Sequence, residues 1–491
     1  MTDDIPDPTK RASIRLVPPE PDIRLYEDGF EKDALGRESA GRELSNLLDM
    51  VDGRLVVAVD GKWGSGKTHF LKCWVGAHEG ATVVYFDAFA HDHVSQPLPA
   101  LVSVVRDRLE EGGGKDVADD GLPERWKTQG PKILRSVYKL ARPAISAWLA
   151  TKGAAGALDV AEDFAAAMDD RDGNIDESVK QAGFWKDEAG RLAAMKSFRE
   201  ALAEIIGKGD GMRPLVIVID ELDRCRPDYA LETLEVIKHL FAVDGVHFVL
   251  GVNLEAFEHI VRARYGATFP ARKYLNRFIQ IVFTLSGEVR DGAGLKKAPL
   301  AYLAHLGKQM KLGTGEHRMR NFEGLFRLIE EQLKIVASVN DVSLRDVGDI
   351  VSRAALAFMT THQRADERIP GNVWLMEMRV MLTLVISQVV RHDLHRRFLE
   401  GNPTDEDLRS YIGEKSVEDP GNLLGRPPPM ESEHSMLVHG WTAIRGIGVP
   451  SEDERRFRQE HFGLSGGIKD QPKQIHERFL ARFVPYGPEA G

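Results

Sequence analysis

The stretch GKWGSGKTHF (Gly61–Phe70) decides the fold. Gly61, Gly66, Lys67 and Thr68 fit the pattern G-x-x-x-x-G-K-[ST]. An apolar run, LVVAVD (Leu55–Asp60), precedes it, and a helix-compatible stretch, THFLKCWVGA (Thr68–Ala77), follows. Strand, Gly-rich loop and helix in that order make a phosphate cradle. Glycines let the backbone wrap so that its N–H groups face an anion, and the helix adds its positive end. In such a loop the lysine reaches the β- and γ-phosphates of a nucleoside triphosphate and the Ser/Thr hydroxyl ligates Mg²⁺. The expected ATP-binding set is therefore Gly61, Trp63, Gly64, Ser65, Gly66, Lys67, Thr68 and His69.

A phosphate loop needs an acid at the tip of a buried strand, aimed at the metal. The run LVIVIDE (Leu215–Glu221) supplies two. Asp220 is expected to hold Mg²⁺ with Thr68, and Glu221 to orient and deprotonate the attacking water. The alternative is a pair of solvated acids that merely end a strand.

Working outward, TVVYFDAF (from Thr82) and VHFVLGVN (Val246–Asn253) read as strands, being β-branched and aromatic. RPDYALETLEVIKHLF reads as a helix that starts at Pro227 and lines up Leu231, Leu234, Ile237, Leu240 and Phe241. Alternating strand and helix predict an α/β P-loop NTPase core, a RecA/AAA-like parallel sheet sandwiched by helices. A Gly- and Ala-rich stretch at about 105–195 reads as an α-helical insertion. After Gly287 the strands are expected to vanish. The expected organisation is a flexible arm over 1–25, the core over 26–286, an α-helical lid over 287–400, and an extension over 401–491 that could dock a partner.

Composition narrows the function. The chain has 491 residues, 43% hydrophobic and 29% charged, as befits a globular protein with a core. A net charge of -10 argues against a global attraction to nucleic acid, leaving only a local basic groove. Two cysteines, Cys73 and Cys225, cannot make a disulfide framework and fit a reducing cytosol. The N-terminal region lacks an apolar signal core, and PAISAWLAT and VMLTLVISQVV fall short of the roughly 20 apolar residues of a membrane span. A cytoplasmic protein without a membrane span is expected. His91 and His93 have no suitably spaced further ligands for a metal and read as a loop near the nucleotide.

The motifs in combination resemble the KAP family of P-loop NTPases, a branch of the division that includes AAA+ and STAND ATPases. The resemblance rests on Trp63 inside the phosphate loop, on Asp223–Pro227 (DRCRP), on KYLNRFIQIVF (Lys273–Phe283) and on EKDALGRESAGREL near Glu31. It spans roughly residues 26–355. It implies an ATPase that couples ATP·Mg²⁺ to a conformational or assembly switch. It further implies self-association, partner proteins from the same gene cluster and a role in bacterial defence against phage or mobile elements. Three positions depart from the family pattern: Glu221 replaces an Asp, Asn253 replaces an Asp, and Arg277 replaces a Lys. Glu221 and Asn253 resemble the water-activating and water-positioning residues of AAA+ relatives.

Hydrolysis also needs charge stabilisation; an arginine finger contributes about 10³ to 10⁵ in rate. Arg277 is the first candidate, acting across a subunit interface, and Arg272 the second; either could instead be a solvent-facing charge. Arg345 resembles a sensor arginine on the lid, or else a surface ion pair. Arg224 suits an interface or a local ion pair. Two other functions stay open: a slow-turnover, nucleotide-gated oligomeric scaffold, and a DNA-stimulated motor.

Overall fold

Buried β-branched runs build the sheet. The computed structural model describes residues 22–51, 53–93, 97–111, 199, 202–203, 206, 214–239, 243–291, 294–310, 316–362, 371–413, 432–446, 451–464 and 468–480. The readings of an N-terminal arm and of most of the helical insertion lie outside them, as do Leu240 and Phe241.

The described residues fall into two units, divided after Ser286. In the first, α1 (Glu38–Asp49), β1 (Leu55–Asp60), α2 (Lys67–Ala77), β2 (Thr82–Asp87), α3 (Pro97–Glu111), β3 (Leu215–Asp220), α4 (Pro227–His239), β4 (Val246–Val252), α5 (Leu254–Tyr265), α6 (Ala271–Leu275) and β5 (Ile281–Thr284) follow one another. The strands form one sheet, ordered β2-β3-β4-β1-β5, with every neighbouring pair parallel. β3 and β4 are buried along their whole length, which is why they read as continuous apolar runs.

Successive side chains go to opposite faces. Val56, Ala58, Ile217, Ile219, Phe248 and Leu250 face a cluster shared with α3, α4, α5 and α6. Val57, Val59, Val216, Val218 and Val249 face the other, shared with α1 and α2. Trp74 of α2 is fully buried there. Its indole N–H is satisfied by Gly41 O at 3.1 Å and Ser45 Oγ at 3.0 Å, so burying this side chain leaves no orphaned donor. β2 and β5 are the edge strands, and Val282 on β5 is half exposed.

The second unit begins with two strands. Strands do not vanish after Gly287: β6 (Glu288–Asp291) and β7 (Gly294–Lys297) pair antiparallel. The pair Asp291-Gly292, followed closely by Gly294, is a hairpin signal in the sequence. Helices follow: α7 (Ala298–Gln309), α8 (Glu316–Val339), α9 (Leu344–His362), α10 (Gly371–Val390), α11 (His392–Leu399), α12 (Asp405–Ile412), α13 (Glu433–Arg445), α14 (Glu452–Phe462) and α15 (Gln471–Phe479). A single apolar cluster gathers side chains from Leu303 to Leu480, so the polar region after residue 401 shares the core of the helices before it.

The VMLTLVISQVV run belongs to a longer helix than its apolar stretch alone indicates. At 20 residues, α10 is long and apolar enough to cross a membrane, by length and composition. Its residues from Val380 to Ser387 are all buried in the unit's own core. Arg379 on the same helix makes an ion pair with Glu433 at 2.8 Å.

Candidate functional site

Three adjacent strands deliver their carboxyl ends to one edge of the sheet. Asp60 of β1 lies beside Val252 of β4, and Gly251 of β4 lies beside Asp220 of β3. The loop from Gly61, the residue Asn253 and the residue Glu221 therefore emerge side by side. This is the edge at which open α/β sheets bind ligands.

The loop is shaped as its glycines dictate. Gly64 and Gly66 take φ of 78° and 82°, the left-handed region. Gly61 N–H donates to Val252 O at 3.3 Å, and Ser65 N–H to Lys62 O at 3.2 Å. Gly66 heads α2 and has no side chain with which to cap it; the first returning bond is Phe70 N–H to Gly66 O at 3.0 Å. The amides of Lys67, Thr68 and His69 thus have no acceptor within the helix.

Lys67 is only 8% exposed, and its ammonium donates to the carbonyls of Gly61 and Lys62. Burial pushes the ammonium down from its ordinary range, against the attraction of Asp223, Asp220 and Asp60. The Ser65 hydroxyl is buried and has no partner among the described residues.

Across from the loop, Asp220 is 1% exposed. It accepts from the Tyr85 hydroxyl and from the Glu221 N–H, both at 2.9 Å. Burial pushes its carboxyl up to about 6, although Thr68, Tyr85 and the Glu221 amide all favour the anion. The Thr68 hydroxyl donates to Glu221 Oε1 at 3.4 Å, so it stands between the two acids. Gly251 leaves the room this needs: a Cβ there would sit 2.2 Å from Asp220 Oδ1 and 2.5 Å from Leu71 Cδ1.

The site holds a buried ammonium and a buried carboxyl, each shifted towards its neutral form by burial. An anion relieves the first and a divalent cation the second. A helix end whose first amides lack an acceptor within the helix, an orphaned Ser65 hydroxyl and a Thr/Asp oxygen pair are the donor set that a triphosphate with Mg²⁺ requires.

The other expected residues are placed as follows. Asn253 caps α5, its side chain accepting from Ala256 N–H at 3.3 Å, which leaves its NH₂ group as a donor at the sheet edge. Trp63 is 51% exposed, and its indole N–H donates to Asp223 Oδ2 at 2.6 Å. These two residues, with Ala256 and Ile260, line a groove of about 520 Å³ beside the loop. The His69 ring turns away to Asp33, Arg37 and Cys73, so only its amide faces the cradle.

Arg277 and Arg272 are exposed and precede β5, whose first residue, Ile281, pairs with Val57, three residues before β1 ends at Asp60. Among the described residues, neither side chain makes a hydrogen bond or ion pair with the phosphate loop. Arg345 is exposed in the first turn of α9, within the helical unit. His91 stacks on Phe86 at 4.7 Å between ring centres.

Three contributors escaped the sequence reading: Tyr85, Gly251 and Arg37. Tyr85 and Gly251 support Asp220. A glycine inside the run VHFVLGVN is the usual mark of a close approach, and a tyrosine inside a buried strand needs a polar partner. Arg37, 7% exposed, donates to the carbonyls of Ser65 and Gly66 at 3.4 and 3.3 Å while paired with Asp33 at 3.0 Å. Arg224 forms the local ion pair that its position invited, and the partner is Glu221 at 2.9 Å.

The family model described as the KAP family P-loop domain matches residues 40–311, more than half of the 491-residue chain. No curated protein matches. Among solved structures, the Aeropyrum pernix ORC2 protein in its ADPNP-ADP complexes is similar at 12% identity and a TM-score of 0.30, over 72% of this chain and 68% of that one. The ADP form of the same protein is similar at 11% identity and a TM-score of 0.32, over 91% and 95%.

Proposed function

The chain belongs to the KAP family of P-loop NTPases, and from that premise we propose that it binds ATP with Mg²⁺ and hydrolyses it to drive a conformational or assembly switch. One observation carries the reading. The strand register sets the Lys67 loop and the Asp220–Glu221 tip on the same sheet edge, close enough for Thr68 to reach Glu221.

In this reading the loop amides and Lys67 hold the phosphates. Thr68 and Asp220 hold Mg²⁺, which supplies neutralisation of charge on the phosphate oxygens. Glu221 takes the proton of the attacking water, and the Asn253 amide fixes that water's orientation. Arg277, exposed ahead of β5, serves a second copy of the chain rather than its own loop, so turnover depends on self-association. The helical unit, with Arg345, is the element that moves. Partner proteins from the same gene cluster and a cytoplasmic defence role against phage or mobile elements complete the proposal on family grounds.

A second reading, a nucleotide-gated scaffold with slow turnover, is favoured by one contact, the Arg224–Glu221 ion pair. Steady-state hydrolysis by wild type and Glu221→Gln at high protein concentration separates the two. The ATPase reading expects a fall of about 100-fold or more in the variant, on the scale of losing a general base. Equal, negligible rates favour the scaffold.

A further inference from the structure

The turn after β3 grips two things at once. Residues Leu222–Arg224 form a single 3-10 turn. On one side of it, Asp223 takes the indole N–H of Trp63, at the tip of the phosphate loop. On the other, Arg224 Nη1 pairs with Glu221 Oε1 at 2.9 Å. That same oxygen accepts the Thr68 hydroxyl.

The backbone fixes this arrangement. Glu221 stands at φ 59°, ψ 24°, a left-handed conformation that a residue with a Cβ rarely adopts. Arg224 N–H donates back to Glu221 O at 3.1 Å, and Cys225 Sγ reaches the same carbonyl at 3.6 Å. Strain of this kind persists where the surroundings over-determine it. The kink turns the carboxylate out of the strand line and into the reach of Thr68 and Arg224. With Oε1 occupied by two donors, the carboxylate is anchored rather than free to follow a water.

We propose that Arg224 is a positioning residue that restrains Glu221, so that the rate of hydrolysis is set by release of this ion pair and not by nucleotide affinity. The inference rests on the reading of Glu221 as the general base. The Trp63–Asp223 bond supplies the coupling. It ties the turn to the phosphate loop, so a shift of the loop is passed to Arg224. The Arg224 side chain is 35% exposed, so the pair sits at the surface of the site, where it can open without unfolding anything.

The test uses the full-length chain. kcat and KM for ATP, together with the Kd of a fluorescent ATP analogue, are measured for wild type, Arg224→Gln, Arg224→Lys, Glu221→Gln and the double variant. Arg224→Gln is expected to raise kcat by about 5-fold, the rate equivalent of a partly exposed ion pair worth about 1 kcal/mol. Its Kd stays unchanged. Arg224→Lys keeps the cation and stays near wild type. The double variant is as inactive as Glu221→Gln. An unchanged or lower kcat in Arg224→Gln, or a gain that survives without Glu221, overturns the restraint while leaving the general base intact. Turnover that does not depend on Glu221 at all removes the general base, and the restraint with it.

Discussion

The Tyr85 hydroxyl donates to Asp220 Oδ2 across 2.9 Å, linking neighbouring strands beneath the phosphate loop. A buried carboxylate offered to a metal needs its remaining oxygen valence satisfied, and Tyr85 does that. Tyr85→Phe keeps the packing and removes the donor. The expected result is a loss of about 10- to 100-fold in apparent Mg²⁺ affinity, read from the Mg²⁺ dependence of ATP binding. ATP binding without Mg²⁺ stays near wild type. An unchanged Mg²⁺ dependence would sink the assignment.

Asp220 carries a stability cost with a defined sign. Its folded carboxyl titrates near 6, above its ordinary value of 3.8. As pH rises from about 4 to 6, the unfolded chain loses this proton while the folded chain keeps it, so stability falls. The penalty is complete above about pH 6 and reaches about 3 kcal/mol. Asp220→Asn is therefore expected to raise the melting temperature at pH 8 without metal, with the gain shrinking towards pH 4. A gain of equal size at both pH values would contradict it.

Gly251 has no room for a methyl group. Gly251→Ala places a Cβ 2.2 Å from Asp220 Oδ1. Overpacking of a tight core costs about 1–3 kcal/mol, and here the displaced group is the metal-facing acid. Reduced melting temperature and weakened Mg²⁺-dependent binding are expected together. Gly251→Ala with wild-type Mg²⁺ dependence would show that the strand yields without moving Asp220.

Arg37 braces the phosphate loop from below, and its partner Asp33 has a fully buried side chain. Burial alone would raise the Asp33 carboxyl, but Arg37 outweighs it and holds the group below its ordinary range. Arg37→Met strands that charge, at a cost of about 3–5 kcal/mol. Adding Asp33→Asn is expected to recover much of the stability but not the ATP affinity, because Ser65 and Gly66 stay unbraced. Recovery of both in thermal melts and binding assays would make Arg37 purely structural.

Much of the sheet and the phosphate loop was legible because buried parallel strands are uniform apolar runs and the loop's chemistry demands fixed residue types. Leu215–Asp220 announced itself this way; Ile281–Thr284, an edge strand with alternating burial, did not. The β6–β7 hairpin was hidden in a charged stretch. The helices after residue 401 were obscured because they are short and set among polar stretches; α14, Glu452–Phe462, buries only Phe457, Arg458 and Phe462. In the site, the motif residues could be read from spacing, whereas Tyr85, Gly251 and Arg37 act through contacts between segments distant in the chain. Arg224 was visible as an ion-pair former, but only the left-handed kink at Glu221 shows which acid it takes.

The most direct test of the account is ATP binding, with and without Mg²⁺, by wild type and Lys67→Ala at equal thermal stability. A triphosphate held between Lys67 and Asp220 loses a charge-assisted contact in the variant, so the predicted affinity is lower by about 10- to 100-fold. Binding of ATP by Lys67→Ala as tight as by wild type would contradict it.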